Sequence, residues 1–126
     1  MKKQLVLFLA IGIMFLFFQS FSPELPSEAG FPEEITSILK ASCFDCHHTG
    51  SNSEKALNAL NFATWDEYRT TKQIALLSDI AKVTKERKMP PGKYLENKPD
   101  AELSDKHIQL LADWTEQEAE KLMQGN

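Results

Sequence analysis

Apolar positions recur at helical spacing along most of the chain, and no stretch alternates in the manner of a β-strand. Ile35, Ile38 and Leu39 share one face of a segment that begins near Pro32, a residue that suits the first position of a helix. A later stretch repeats the pattern, and its apolar positions are Ile74, Leu77, Ile80, Ala81 and Val83. The periodicity predicts an all-α domain.

Polar signals between these two stretches predict a shorter helix. Thr64 and Glu67 have the spacing of a capping box, which would open a helix with Trp65 and Tyr68 on one face. The preceding residues 49–63 are rich in Gly, Ser and Asn, with a few apolar positions among them. We therefore predict a loop or a broken helical turn there, followed by a helix that begins at Thr64.

The last part of the chain contains signals for the end of one helix and the start of another. Pro90 and Pro91 would end the preceding helix, and Ser104 suits the cap of a final one. The positions at roughly helical spacing in that final helix are Ile108, Leu111, Trp114, Glu118 and Leu122. Together the segments predict three to five helices in one small domain.

The N-terminal residues have the organisation of an export signal. Lys2 and Lys3 precede an apolar run at 5–18, which is shorter than the roughly 20 residues that a transmembrane helix needs. We expect residues 1–22 to be a signal peptide or an N-terminal anchor, residues 23–30 to be a linker and residues 31–126 to be the folded domain. The protein is thus expected in the periplasm, soluble or tethered to the outer face of the inner membrane.

Charge and composition narrow the choice of partners. The net charge is −4, and it becomes −6 if Lys2 and Lys3 leave with the signal, because 18 acidic residues then face 12 of the original 14 basic ones. Nucleic acid is therefore not expected as a partner. No helix carries an obvious extra apolar stripe, and we expect a monomer.

The candidate chemistry lies in one pentapeptide, Cys43-Phe44-Asp45-Cys46-His47, which has the C-x-x-C-H pattern of c-type haem attachment. Two thiols three positions apart can reach the two vinyl groups on one edge of the porphyrin, and the imidazole that follows is a good iron ligand. We predict one haem c bound covalently through Cys43 and Cys46, with His47 as the proximal ligand.

Two other chemistries use the same residue types. A redox dithiol would be expected beside a βαβ pattern, which the sequence lacks. A zinc site would need Cys43, Cys46, His47 or His48 and a distant fourth donor. A haemless thiol or metal module is therefore the alternative to haem attachment.

The second axial position of the iron has four candidate ligands in the mature chain. Met89 is favoured because it lies at a predicted helix end beside two prolines, which restrict the backbone and hold the sulfur at low entropic cost. Met89 could instead be a flexible core residue. His48 adjoins His47 and cannot easily reach the opposite haem face, His107 lies near the start of the last helix, and Met123 lies in a polar tail.

The remaining aromatic and basic residues have structural and functional interpretations. Large aromatic side chains are expected in the core and in the haem wall, with a hydrogen bond to a haem propionate as the alternative for three of them; the set is Trp65, Tyr68, Tyr94 and Trp114. A group of cations flanks Met89: Lys82, Lys85, Arg87, Lys88 and Lys93. These cations could complement a helix C-terminus, or they could steer an acidic redox partner and make electron transfer depend on salt.

The order of motifs resembles the haem-binding domain family of small bacterial c-type cytochromes. The motifs that carry the resemblance are Cys43-x-x-Cys46-His47, Leu60-Asn61-Phe62-x-x-Trp65, Met89-Pro90-Pro91-x-x-Tyr94, Leu103-Ser104 and Trp114. The chain departs from the family at residues 49–53, where an aromatic Pro-Trp-Tyr segment is common, and at Lys98-Pro99, where His-Pro is usual. The resemblance implies a small cytochrome c-like helical fold around one covalent haem, with His47 as proximal ligand and Met89 as distal ligand.

These observations predict an exported electron carrier and not an enzyme. With both axial positions filled, the iron would change oxidation state without bond chemistry, and its partners would be redox proteins, acidic or membrane-bound. A haem-based sensor or enzyme with a displaceable Met89 is the alternative within haem chemistry.

Overall fold

The computed structural model describes residues 30–125, so the predicted signal or anchor and most of the predicted linker lie outside the described residues. Six α-helices follow one another in this part of the chain: α1 (Glu33–Ser42), α2 (Phe44–His47), α3 (Glu54–Ala59), α4 (Thr70–Lys85), α5 (Gly92–Leu95) and α6 (Asp105–Gln124). Two 3₁₀ helices, Phe62–Glu67 and Pro99–Ala101, complete the structure. The predicted all-α fold is confirmed, and between residues 30 and 125 there is no strand.

The predicted count of three to five helices did not include the single turns. Both α2 and α5 have four residues, which is too short for a repeating apolar pattern to reveal. Each depends on the packing around it, because an isolated turn of this length is not stable by itself. Helix α2 carries Cys46 and His47, two of the candidate site residues, and α5 carries Tyr94.

Helix α1 forms as its sequence pattern predicts. Glu33 and Glu34 lie in its first turn, where the helix dipole favours negative charge, and Pro32 precedes them as the N-cap residue, one position earlier than predicted. The buried face includes Ile35, Ile38 and Leu39. The apolar face of α1 packs against the core, and this packing fixes the position at which the chain reaches Cys43.

The main packing interface in the described part of the chain lies between α4 and α6. Leu77 of α4 and Leu111 of α6 are both completely buried. Ser104 caps α6, since its hydroxyl accepts a hydrogen bond from the His107 amide at 3.1 Å, as the sequence predicts. Within residues 30–125 no helix is both long and apolar enough to cross a membrane.

The predicted capping box at Thr64 is wrong. The local helix is the 3₁₀ segment Phe62–Glu67, and its cap is Asn61, whose side-chain oxygen accepts from the Ala63 amide at 3.1 Å. Thr64 lies inside this segment with non-helical dihedral angles. Asn61 is the cap because its side chain can bond to the turn that begins three residues before Thr64. Burial of Phe62 and Trp65 fixes where that turn begins.

The buried face of α4 is rotated from the predicted one. Gln73, Leu76 and Thr84 are buried, whereas Ile74 is only half-buried. The Gln73 amide donates to the Trp65 carbonyl at 3.0 Å, and the Thr84 hydroxyl donates to the Ile80 carbonyl at 2.8 Å. These internal partners allow polar side chains to occupy positions that an apolar pattern does not predict.

We expect Leu77→Ala to lower the free energy of unfolding by about 2–5 kcal/mol, because it removes a fully buried side chain and leaves a cavity between α4 and α6. Urea denaturation followed by circular dichroism measures the loss. Ile74→Ala on the same helix is the control, and its effect should be clearly smaller since Ile74 is half-buried. Equal losses would contradict the position of the interface.

Candidate functional site

A cavity of about 310 Å³ brings together the four residues that the sequence nominates for cofactor binding: Cys43, Cys46, His47 and Met89. The first three come from the end of α1 and from α2, and the fourth comes from the loop after α4. Alanine and proline side chains supply much of the remaining wall. The site is therefore a mainly apolar space, with two thiols and an imidazole from one segment and a thioether from another.

The two thiols are placed by a break between helices. Helix α1 ends at Ser42 with Cys43 as its C-cap residue, and the Cys43 carbonyl accepts the backbone N–H groups of Cys46 at 3.2 Å and His47 at 3.0 Å. This single turn places Cys43 and Cys46 three positions apart, at the same wall of the cavity. Both are free thiols, and each is partly exposed. The geometry suits two separate bonds to one ligand edge.

The apolar core beside Cys43 controls its thiol chemistry. Desolvation, and then the charge of Cys46, raises the pKa of Cys43 to about 12. Thiol–disulfide exchange needs a thiolate, so this environment disfavours attack by Cys43 at neutral pH. The dithiol interpretation therefore receives no support from the surroundings of Cys43.

His47 is held in a defined orientation by backbone carbonyls. Its Nδ1 lies 3.1 Å from the Ala56 carbonyl oxygen and 3.0 Å from that of Leu60. A carbonyl only accepts, so Nδ1 carries the proton and donates it, which leaves the Nε2 lone pair for a ligand bond. This is the outer-shell contact that a ligating imidazole requires, and the sequence could not identify its partner.

Met89 lies at the end of a tight turn after α4. Lys88 and Met89 both direct their backbone N–H groups to the Val83 carbonyl, at 2.8 and 3.3 Å, and Arg87 adopts a left-handed conformation with φ of 52°. The Met89 side chain is 37% exposed. It also borders a second, smaller cavity of about 130 Å³ on the side of Leu103. Met89 thus borders two cavities and is not part of the buried core.

A polar cluster at the rim of the site was not predicted from the sequence. Asp45, which lies between the two cysteines, accepts the Tyr94 hydroxyl at 2.8 Å and the Lys98 ammonium at 2.5 Å. The hydrogen bonds from Lys98 and Tyr94 hold the pKa of Asp45 below its usual range, and the bond to Asp45 raises the pKa of Lys98. These contacts span 49 and 53 positions of sequence, so local pattern could not reveal them.

The other three candidate ligands lie elsewhere. The His48 ring stacks on Phe44 with centroids 4.7 Å apart, His107 is half-buried in the first turn of α6, and Met123 is 65% exposed near the end of that helix. None of these side chains lines the cavity of about 310 Å³. Among residues 30–125, no group of three or more His, Cys, Asp or Glu is arranged to hold a metal ion.

The aromatic residues divide between the core and the site. Trp65 and Trp114 are buried against Phe31, with ring centroids 5.4 and 5.2 Å away. The Tyr68 hydroxyl accepts a hydrogen bond from the backbone N–H of Asn61 at 2.9 Å. This bond fixes the residue that precedes the 3₁₀ helix Phe62–Glu67. Tyr94 alone of the four predicted aromatics lines the cavity.

The basic residues near Met89 have different surroundings. Arg87 forms an ion pair with Asp105, and Lys88 pairs with Glu86 at 2.6 Å. Lys82 and Lys85 line a separate groove between α4 and α6. Part of the positive charge in this region is therefore balanced by neighbouring carboxylates.

One comparison with known proteins bears on this site. The family model described as a haem-binding domain matches residues 48–117, more than half of the chain. The match begins at the residue after His47 and includes Met89 and Tyr94. No curated protein and no solved structure gives a significant match.

Proposed function

Because this chain belongs to the haem-binding domain family and is a haem-binding protein, we propose that it is a monohaem c-type cytochrome that transfers electrons. In this proposal the haem is of type c, bound covalently through Cys43 and Cys46. His47 is the proximal iron ligand and Met89 the distal one.

One observation carries the proposal: residues from two distant parts of the chain line a single, mainly apolar cavity with the four required side chains. The donor set fits the group. Two thiols one turn apart suit two thioether bonds, and an imidazole and a thioether are a ligand pair known for c-type haem iron. The free Nε2 of His47 adds independent support, because its orientation is fixed by two carbonyls of the protein.

The residues of the chain have separate tasks. Cys43 and Cys46 anchor the cofactor and fix its register on α2, whereas the carbonyls of Ala56 and Leu60 orient His47 and increase its basicity. Met89 would be the second ligand of the iron, and its thioether would favour the reduced state more than a second imidazole would. When bound, the haem supplies a reversible one-electron change between ferrous and ferric iron.

A second candidate function is a haem-based sensor or enzyme in which Met89 leaves the iron. The cavity of about 130 Å³ beside Met89 favours it, since that space gives the side chain room to move. We place it second because a Met-Pro-Pro loop restricts the backbone on the C-terminal side of the sulfur.

Export and partners belong to the same proposal. The basic and apolar organisation of residues 1–18 supports delivery to the periplasm, where the protein would be soluble or held by its N-terminal segment at the outer face of the inner membrane. Redox proteins, acidic or membrane-bound, would be its partners.

The test is a visible spectrum of the oxidised and reduced protein, produced together with haem-attachment machinery, and a haem stain after denaturing electrophoresis. Haem that stays with the denatured chain and sharp bands in the reduced spectrum would support a c-type cytochrome. A weak sulfur-to-iron band at the red end of the ferric spectrum would support Met89. Colourless protein, or haem lost on denaturation, would refute covalent attachment.

A further inference from the structure

The segment that carries Met89 is tied to the haem-attachment segment by two side-chain contacts. Tyr94 lies on α5, after Met89 in the sequence, and Lys98 precedes the 3₁₀ helix Pro99–Ala101. Both donate to the same Asp45 carboxylate, and Lys98 Nζ also lies 6.0 Å from the centre of the Tyr94 ring. Within the described chain, these are the hydrogen bonds that connect residues 43–47 with residues 89–98.

Packing alone does not fix Met89. Met89 borders the cavity of about 130 Å³ lined by Leu103 as well as the proposed haem site, so close packing on that second side does not hold the side chain in place. A weakly bound thioether needs a loop that keeps it in place, because every conformation that withdraws the sulfur competes with ligation. The contacts at Asp45 are located where they can supply that restraint, since Asp45 lies two positions before His47.

We propose that Asp45, Tyr94 and Lys98 form a polar strap that positions Met89 over the iron by fastening its loop to the haem-attachment turn. The inference rests on the proposed His47 and Met89 ligation. The strap residues are positioning residues, and they act on the iron only through Met89. Releasing the strap increases the fraction of molecules in which the sixth coordination site is open.

Imidazole in solution is the probe, because it binds the ferric haem only when the thioether has left. Its apparent dissociation constant equals the intrinsic value divided by the open fraction. The Asp45→Asn variant replaces the charged acceptor of both donors with a neutral amide and so removes the ion pair with Lys98. We expect it to bind imidazole about fivefold more tightly than the wild type, near the upper end for an exposed ion pair. We expect the sulfur-to-iron band to be weaker and the midpoint potential to be lower as well.

Asp100→Asn is the matched control. It makes the same chemical change at an exposed carboxylate two positions after Lys98, and it should leave imidazole affinity as in the wild type. Because Asp45 lies inside the attachment motif, the double variant Tyr94→Phe/Lys98→Gln is a second route that leaves the motif intact. It should reproduce the tighter imidazole binding.

The outcomes separate the strap from the ligation itself. A wild-type protein without the sulfur-to-iron band would overturn both proposals. A wild-type protein with the band, together with unchanged imidazole affinity in Asp45→Asn or in the double variant, would overturn the strap alone. An equal increase in imidazole affinity in Asp100→Asn would also overturn the strap, because the effect would then follow from the change in charge and not from the contacts of Asp45.

Discussion

The double variant Cys43→Ser/Cys46→Ser is expected to lose all covalently bound haem, so that no stain remains with the denatured polypeptide. A hydroxyl does not form the thioether by which we propose that the chain is joined to the porphyrin, and the chain contains only two cysteines. The measurement is haem staining after denaturing electrophoresis, with the loading checked by a general protein stain. Serine is close in size to cysteine, so the wall of the cavity changes little.

His48→Ala is the matched control for this experiment. His48 adjoins the motif but does not line the cavity, and its replacement should leave the stain at the wild-type level. Stain retained by the double serine variant would show attachment through another residue and would refute the assignment. Stain lost from both variants would indicate that disturbance of α2, and not loss of the thiols, is responsible.

The parts of the fold that the sequence predicted correctly are those with local physical causes. The apolar face of α1 follows from residues three and four positions apart, and the start of α6 follows from the hydroxyl of Ser104. In each of these cases the interacting groups are neighbours along the chain.

The incorrect prediction at Thr64 and the unpredicted single turns have a different origin. Asn61 and Thr64 are both good caps, and the choice between them depends on how deeply Phe62 and Trp65 are buried. A four-residue turn such as α2 has no periodicity of its own. Tertiary packing decides both, and a single sequence does not display it.

The candidate site shows the same division. The sequence nominated Met89 from two adjacent prolines, but only the folded chain brings its side chain to the cavity that His47 lines. The carbonyls that orient His47 and the carboxylate that joins Tyr94 to Lys98 are long-range contacts. In the sequence, Lys98 is only a departure from the usual His-Pro of the family. The contact with Asp45 gives this lysine a structural role.

Met89→Ala is expected to remove the sulfur-to-iron band and to lower the midpoint potential by on the order of 100 mV, a part of the range of about 0.8 V that axial ligands span. Alanine has no donor atom, so the iron would keep His47 and gain an open or water-filled position. The reduced variant should then bind carbon monoxide at neutral pH. Ferric spectra, a redox titration and carbon monoxide difference spectra measure these changes.

Met123→Ala supplies the matched control, because Met123 is a 65% exposed methionine near the end of α6 and does not line the cavity. Its spectrum, potential and carbon monoxide response should be those of the wild type. An unchanged spectrum in Met89→Ala would refute distal ligation by this residue. Carbon monoxide binding by the wild-type protein at neutral pH would instead favour the sensor or enzyme, since it would show that Met89 yields the iron to a small ligand without any change in sequence.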